Sequence, residues 1–178
     1  MQGESPGSAA PRARAGGRDR SLAFQSPSKG TLSFDGMFRE ITTFMADAPD
    51  ERYTLIVGSD SQAREQETAF VTAVVIHRIG LGARYFYQRR SHRPMPSLRQ
   101  KIFYEASLSL ALAGRIAERL SENGYAHMNV EIHLDVGQSG DTRNLIREIV
   151  GMVTGSGFDA KIKPYAYGAS KVADRYTK

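Results

Sequence analysis

Asp60, Glu105, Asp135 and Asp174 are the residues of this chain best placed by type and spacing to do chemistry. Asp60 closes the apolar run Tyr53-Thr-Leu-Ile-Val-Gly-Ser-Asp60, and Asp135 closes a second, Val130-Glu-Ile-His-Leu-Asp135. Glu105 falls within the apolar stripe of a long predicted helix, and Asp174 lies in the last predicted helix. Hard cations such as Mg²⁺ and Mn²⁺ take oxygen ligands, so converging carboxylates are how a protein would hold them. Two strand-end carboxylates side by side repel unless a cation lies between them. A pair of such ions about 3.5–4 Å apart stabilises both the attacking and the leaving oxygen of a phosphoryl displacement. Metal-dependent hydrolysis of a phosphodiester is the chemistry this set would support, with the four acids as both ligands and catalytic residues.

Each acid also has an ordinary reading. Asp60 and Asp135 can end strands as Asx-turn residues. Glu105 can pair with Arg99 or Lys101 on its own helix, and Asp174 with Lys171 or Lys178. What favours chemistry is the order of the four: strand, helix, strand, helix.

A substrate with a phosphate backbone would need cations nearby. Arg84, Arg89, Arg90, His92, Arg93, Arg99 and Lys101 cluster around the connection that precedes the long helix. Arg89, Arg90, Arg93 and Arg99, with Gln62 just past Asp60 and Arg143 on a later helix, are the expected substrate contacts. Arg147, one turn beyond Arg143, would add to them, and Tyr85 and Tyr87 are available to stack on bases. A solvated basic loop is the alternative. His77 and His133 read as structural strand histidines, although His133 shares a sheet face with Asp135. Neither a G-x-S-x-G elbow nor a P-loop occurs, and the absence of cysteine excludes thiol catalysis and disulfides.

The elements that must position these residues follow from periodicity. Residues 1–30, rich in Gly, Pro, Ser and Arg, read as a disordered basic tail of net charge +3, leaving +2 for residues 31–178. Ser33 or Asp35 caps a first helix carrying Phe34, Met37, Phe38, Ile41, Phe44 and Met45. Strands follow at about 53–60, 69–77 and 83–88, the last two a hairpin through Ile79-Gly-Leu-Gly82. Arg89 to Pro96 reads as a loop. Ser97 opens the long helix, whose stripe is Leu98, Ile102, Ser109, Leu112, Ile116 and Leu120, and Asn123-Gly124 closes it. A strand at 128–135, a loop at 136–141, a helix from Thr142 to Thr154, a strand at 158–163 and a short helix from Ser170 complete the domain. A right-handed crossover makes the strands ending in Asp60 and Asp135 parallel neighbours, and ligands of open α/β sheets bind beyond such strand ends. No apolar run is long enough to span a bilayer, so a soluble, cytoplasmic protein is expected.

Strand order and acid positions resemble the ribonuclease H-like superfamily. More closely, the blocks Gly58-Ser-Asp-Ser-Gln62, Phe70-Val-Thr, His77-Arg, Tyr85-Phe-Tyr, Leu98-Arg-Gln, Glu105-Ala, His133-Leu-Asp-Val-Gly137, Gly151-Met-Val, Lys161-Ile-Lys-Pro164 and Val172-Ala-Asp-Arg-Tyr-Thr-Lys178 resemble the YkuK-like family of predicted ribonuclease H-related nucleases. The resemblance covers 31–178. It implies a ribonuclease H-like α/β fold: a mixed five-stranded sheet, its first three strands antiparallel and the last two parallel to the first, with helices on both faces and an extra N-terminal helix. It also implies a two-ion Mg²⁺ or Mn²⁺ site at Asp60, Glu105, Asp135 and Asp174, and nucleic acid as substrate. The family pattern differs by Thr at Ser59, Asp at Tyr165 and Ser at Lys171. Two further functions fit the same residues: a catalytically inactive module that binds nucleic acid or a protein, and a two-metal reaction on a smaller phosphoester.

Overall fold

A computed structural model describes residues 23–137 and 143–177. The expected tail up to residue 22 and most of the expected 136–141 loop lie outside them.

Three long apolar strands set the frame of the domain. β3 (Tyr53–Ala63), β4 (Thr68–Arg78) and β5 (Gly82–His92) are eleven residues each and pair antiparallel. β4 is buried along nine consecutive residues from Thr68 to Ile76, as a strand covered on both faces must be. Gly80 and Gly82, at φ 81° and 106°, supply the left-handed backbone of the β4–β5 turn. β6 (Asn129–His133) and β7 (Asp159–Lys161) add parallel to β3.

The sheet has seven strands rather than the expected five, in the order β2-β1-β5-β4-β3-β6-β7. The two additional strands are β1 (Phe24–Ser26) and β2 (Gly30–Leu32), an antiparallel hairpin that meets β5 at Gln25 and Tyr87. Residues 24–30, expected within a disordered tail, therefore belong to the sheet hairpin. Phe24 anchors the hairpin: it is almost wholly buried and lies 6.4 Å from the ring of Phe34. Arg89 and Arg90, expected in a loop, are on β5, which runs on to His92.

Three helices cover one sheet face. α1 (Phe34–Ala46) starts at Ser33, whose hydroxyl accepts from the Gly36 amide at 3.1 Å. α2 (Leu98–Glu122) starts at Ser97 in the same manner and ends at Asn123, followed by Gly124 at φ 83°. α3 (Arg143–Gly155) packs beside it. Leu55, Val57, Val74, Ile76, Phe86 and Ile132 meet them from the sheet. Of the predicted α2 stripe only Leu98 fails, standing 40% exposed.

One short helix, α4 (Ala169–Thr177), crosses the other face over Ile56, Val71, Ala73 and Val75. Its approach is set by Gly58. A Cβ there would meet the His133 carbonyl oxygen at 3.0 Å, Ala169 Cβ at 3.1 Å and the Ser170 nitrogen at 3.2 Å. Two of these three atoms are backbone and cannot swing aside. Gly58→Val is expected to destabilise the protein by about 3 kcal/mol, the upper range for overpacking, read as a lower urea midpoint; an unchanged midpoint would show that α4 is loosely seated.

Candidate functional site

β3 and β6 run parallel in the register Gly58 opposite His133. Asp60 lies two residues past Gly58 on β3, and Asp135 lies two residues past His133, beyond the end of β6 rather than at its last residue as expected. Leu134 and Val136 point into the core under α2 and α3, so alternation turns Asp135 to the α4 face. Asp60 lies on that face too, three residues before the end of β3 rather than at it.

α4 delivers its own groups to the same place. Thr177 Oγ1 lies 3.1 Å from Asp60 Oδ2 and 2.9 Å from the Asp174 carbonyl oxygen. Asp174 itself is exposed. Burial pushes the Asp60 carboxyl above its ordinary pKa. The Thr177 hydrogen bond opposes that rise, and the charges of Asp135 and Asp174 add to it.

Glu105 arrives from the opposite face. Ser61, next to Asp60 and pointing the other way, donates to Glu105 Oε1 at 2.5 Å. Four residues along α2, Ser109 meets Ser59 at 2.9 Å, and Ser59 meets Thr72 on β4, also at 2.9 Å. All three hydroxyls are buried. Two steps along β3 thus match one turn of α2, and the match fixes where Glu105 stands. Desolvation drives its pKa up to about 8, with the charges of Asp60 and Asp135 adding to the rise. The four acids are therefore electrostatic neighbours: Asp60 senses Asp135 and Asp174, and Glu105 senses Asp60 and Asp135.

The donor chemistry suits a hard divalent cation, since every member is a carboxylate. As they stand, no three Asp, Glu or His side chains among the described residues are grouped to hold a metal ion. Two features stand against one. Glu105 comes from the α2 face through Ser61, whereas Asp60 meets Thr177 on the α4 face. Lys163 places its Nζ 2.7 Å from Asp135 Oδ1, an ammonium already on one of the carboxylates. The Lys163 amide also donates to the Val136 carbonyl at 3.0 Å, which pins its backbone beside Asp135. Lys163 is more than half exposed, so the pair is worth little in isolation. Lys163→Met is expected to tighten Mn²⁺ binding about three- to fivefold, measured by calorimetry; equal or weaker binding would show that the ammonium does not compete.

The expected substrate contacts are placed unevenly. Arg89 on β5 lies 4.0 Å from Glu67. Arg90 has its Nε buried without a hydrogen-bond partner. Gln62 on β3, Arg93 beyond β5 and Arg143 at the start of α3 are exposed. Arg99 is engaged: it donates to both carboxylate oxygens of Glu148 on α3, at 3.2 and 2.6 Å. Tyr85 and Tyr87 do not stand open for bases. Tyr176 of α4 stacks on Tyr87 with centroids 3.8 Å apart, and its hydroxyl lies 3.0 Å from that of Tyr85.

His133, expected to be structural, is buried in β6. It is 4% exposed, and its Nε2 lies 3.1 Å from Glu131 Oε2. Burial holds its pKa below the ordinary histidine value. Thr177, Lys163 and the Ser59, Thr72 and Ser109 hydroxyls are site-forming residues that the sequence reading did not assign. Only Ser109 had a signal, a polar residue within an apolar stripe. Lys171 and Asp174 are both exposed on α4, and Tyr165 stands largely exposed at the edge of a separate cavity.

Comparisons with known proteins agree with this architecture. A family model described as ribonuclease H-like matches residues 36–178. The chain is 35% identical over 169 residues to "Uncharacterized protein YkuK" of Bacillus subtilis (strain 168), covering 89% of this chain and 98% of that one. No solved structure matches. No helix among the described residues is long and apolar enough to cross a membrane. A mixed sheet with helices on both faces, matched by the ribonuclease H-like model from α1 to the end of α4 and by a relative along nearly its whole length, makes this chain a member of the YkuK-like, ribonuclease H-like family.

Proposed function

We propose that the chain is a nuclease that hydrolyses phosphodiester bonds of nucleic acid with Mg²⁺ or Mn²⁺. The observation that carries this reading is the convergence of the four acids beyond the last β3–β6 pair: Asp60 feels the charges of Asp135 and Asp174, and Glu105 those of Asp60 and Asp135. Asp60, Glu105, Asp135 and Asp174 would hold two ions. Bound there, the ions supply Lewis acidity to the phosphodiester and to the attacking water.

The chain's own residues set the conditions for that chemistry. Glu105 must give up its proton before it can be a ligand, so metal affinity rises with pH up to about 8. Ser61 fixes which carboxylate oxygen of Glu105 is already engaged. Thr177 orients Asp60. Lys163 would have to release Asp135 for that carboxylate to hold an ion, and its ammonium could then meet a phosphate oxygen of the substrate. Arg89, Arg90, Arg93, Arg143 and Gln62 would hold the polynucleotide backbone, while Arg99 ties α2 to α3 through Glu148.

The Lys163–Asp135 pair also favours a second reading, a non-catalytic module that grips nucleic acid by charge. End-labelled DNA, RNA and hybrid strands, with a panel of small phosphoesters, separate the two in Mn²⁺ and in EDTA. Mn²⁺-dependent cleavage of a polymer is expected. Salt-sensitive binding of the same strands with no cleavage would establish the module instead, and cleavage of the small esters alone would move the substrate class.

A further inference from the structure

α4 leaves part of its sheet face uncovered. Below its first residue lies a cavity of about 730 Å³, within the range of small-molecule sites. Ile56, Val75 and Ile79 give it an apolar base. It is separate from the acids: Ile56 precedes Asp60 by four residues of β3, about 13 Å, and α4 stands over Gly58 between them.

Two observations point to its occupant. Tyr165 and Tyr167, on the loop between β7 and α4, border the cavity 71% and 64% exposed. Large aromatic side chains held open beside an apolar floor suit a flat ring. His133, in the cavity wall, gives its Nε2 to Glu131, which makes the buried Nδ1 the acceptor nitrogen. That Nδ1 has no partner. It faces Gly168, where a side chain would come within 3.6 Å. A buried acceptor without a donor calls for one. Lys161, opposite His133 in the β6–β7 register and so on the same face, brings a positive charge to the rim.

We propose that this cavity binds a nucleotide whose base carries an amino group, with the ring against Tyr165 and Tyr167, the amine directed to His133 Nδ1 and the phosphate toward Lys161. The choice of a nucleotide among flat anions rests on the nuclease reading of the acid cluster. The same chemistry is offered by a free mononucleotide and by one residue of a strand.

Adenosine monophosphate, inosine monophosphate and a ten-residue oligoadenylate separate these sources when titrated calorimetrically into the full chain in EDTA. Saturable binding of adenosine monophosphate assigns the site to free nucleotide; binding of the oligomer alone assigns it to a strand. The adenine ligand should bind about tenfold more tightly than the hypoxanthine one, whose ring offers an acceptor in place of the amine. Tyr165→Ala and Tyr167→Ala, both at exposed positions, should each weaken binding about tenfold. No saturable binding of either adenine probe, or binding unchanged in the double tyrosine variant, would overturn the proposal. Metal-free conditions keep the result apart from cleavage: the nuclease reading can fail with this binding intact, and the reverse.

Discussion

Asp60→Asn is expected to reduce Mn²⁺-dependent cleavage by roughly a hundredfold or more, since an ion's charge stabilisation is worth several kcal/mol and each 1.4 kcal/mol is tenfold in rate. The substitution keeps the size of the side chain and removes its charge. Asp60 is central to the acid set: it senses both Asp135 and Asp174, and its own charge reaches Glu105. The fold should not suffer. The amide oxygen can still accept from Thr177, and a carboxyl that burial already disfavours in its charged form is replaced by a neutral group. Urea midpoints equal to or above wild type, together with lost cleavage, are the expected pair of results. Asp135→Asn should act likewise on cleavage. Undiminished cleavage by both variants would remove these acids from the mechanism.

Glu105→Gln should change how stability depends on pH. Below about pH 4.5, the ordinary value for the side chain, Glu105 is protonated in both folded and unfolded chains, and variant and wild type are equally stable. Between there and about pH 8 the unfolded chain releases this proton while the folded chain keeps it. Wild-type stability therefore falls as pH rises through that window, and above it the loss is complete. The full shift corresponds to at most about 5 kcal/mol at 1.36 kcal/mol per unit. Glu105 is only partly buried, so about 2–3 kcal/mol is the expected gain of the variant at pH 9. Asp60 leaves a smaller slope of the same sign in the variant, because its pKa is also raised. Urea titrations in EDTA from pH 4 to 9 measure the difference, and parallel curves for the two proteins would show Glu105 to be ordinary.

Much of this was legible in the residues alone. Alternation and β-branched runs located β3 and β4, and helical spacing put Glu105 inward on α2. Ser97 marked the start of α2 to the residue, and Ser33, one of two candidate caps, begins α1. The misses share a cause: they depend on partners distant in sequence. Phe24 is a single aromatic in a Gly/Pro/Ser-rich segment, and nothing local says that Phe34 and the edge of β5 will cover it. The end of β5 carries arginines because it passes beyond the core, so no apolar alternation announced it. Tyr85 and Tyr87 looked available only because Tyr176, some ninety residues later, could not be placed over them. Lys163 gave no sign of reaching Asp135, since a lysine near a strand end is an ordinary surface residue until β6 and β7 are paired.

The two sides of the cleft are built from different materials. On the α2 side, Ser59 bridges Thr72 and Ser109 deep in the interior, and directional contacts near 2.9 Å tolerate little sliding. On the α4 side, Ala169, Ala173 and a tyrosine stack fit against the sheet, and the directional contacts, Tyr176 to Tyr85 and Thr177 to Asp60, sit on the last two residues of the helix. The long helix is bolted through the interior and the short one only at its tip. Any opening that admits a polymer should therefore loosen the C-terminal helix first, with the long helix as its anvil.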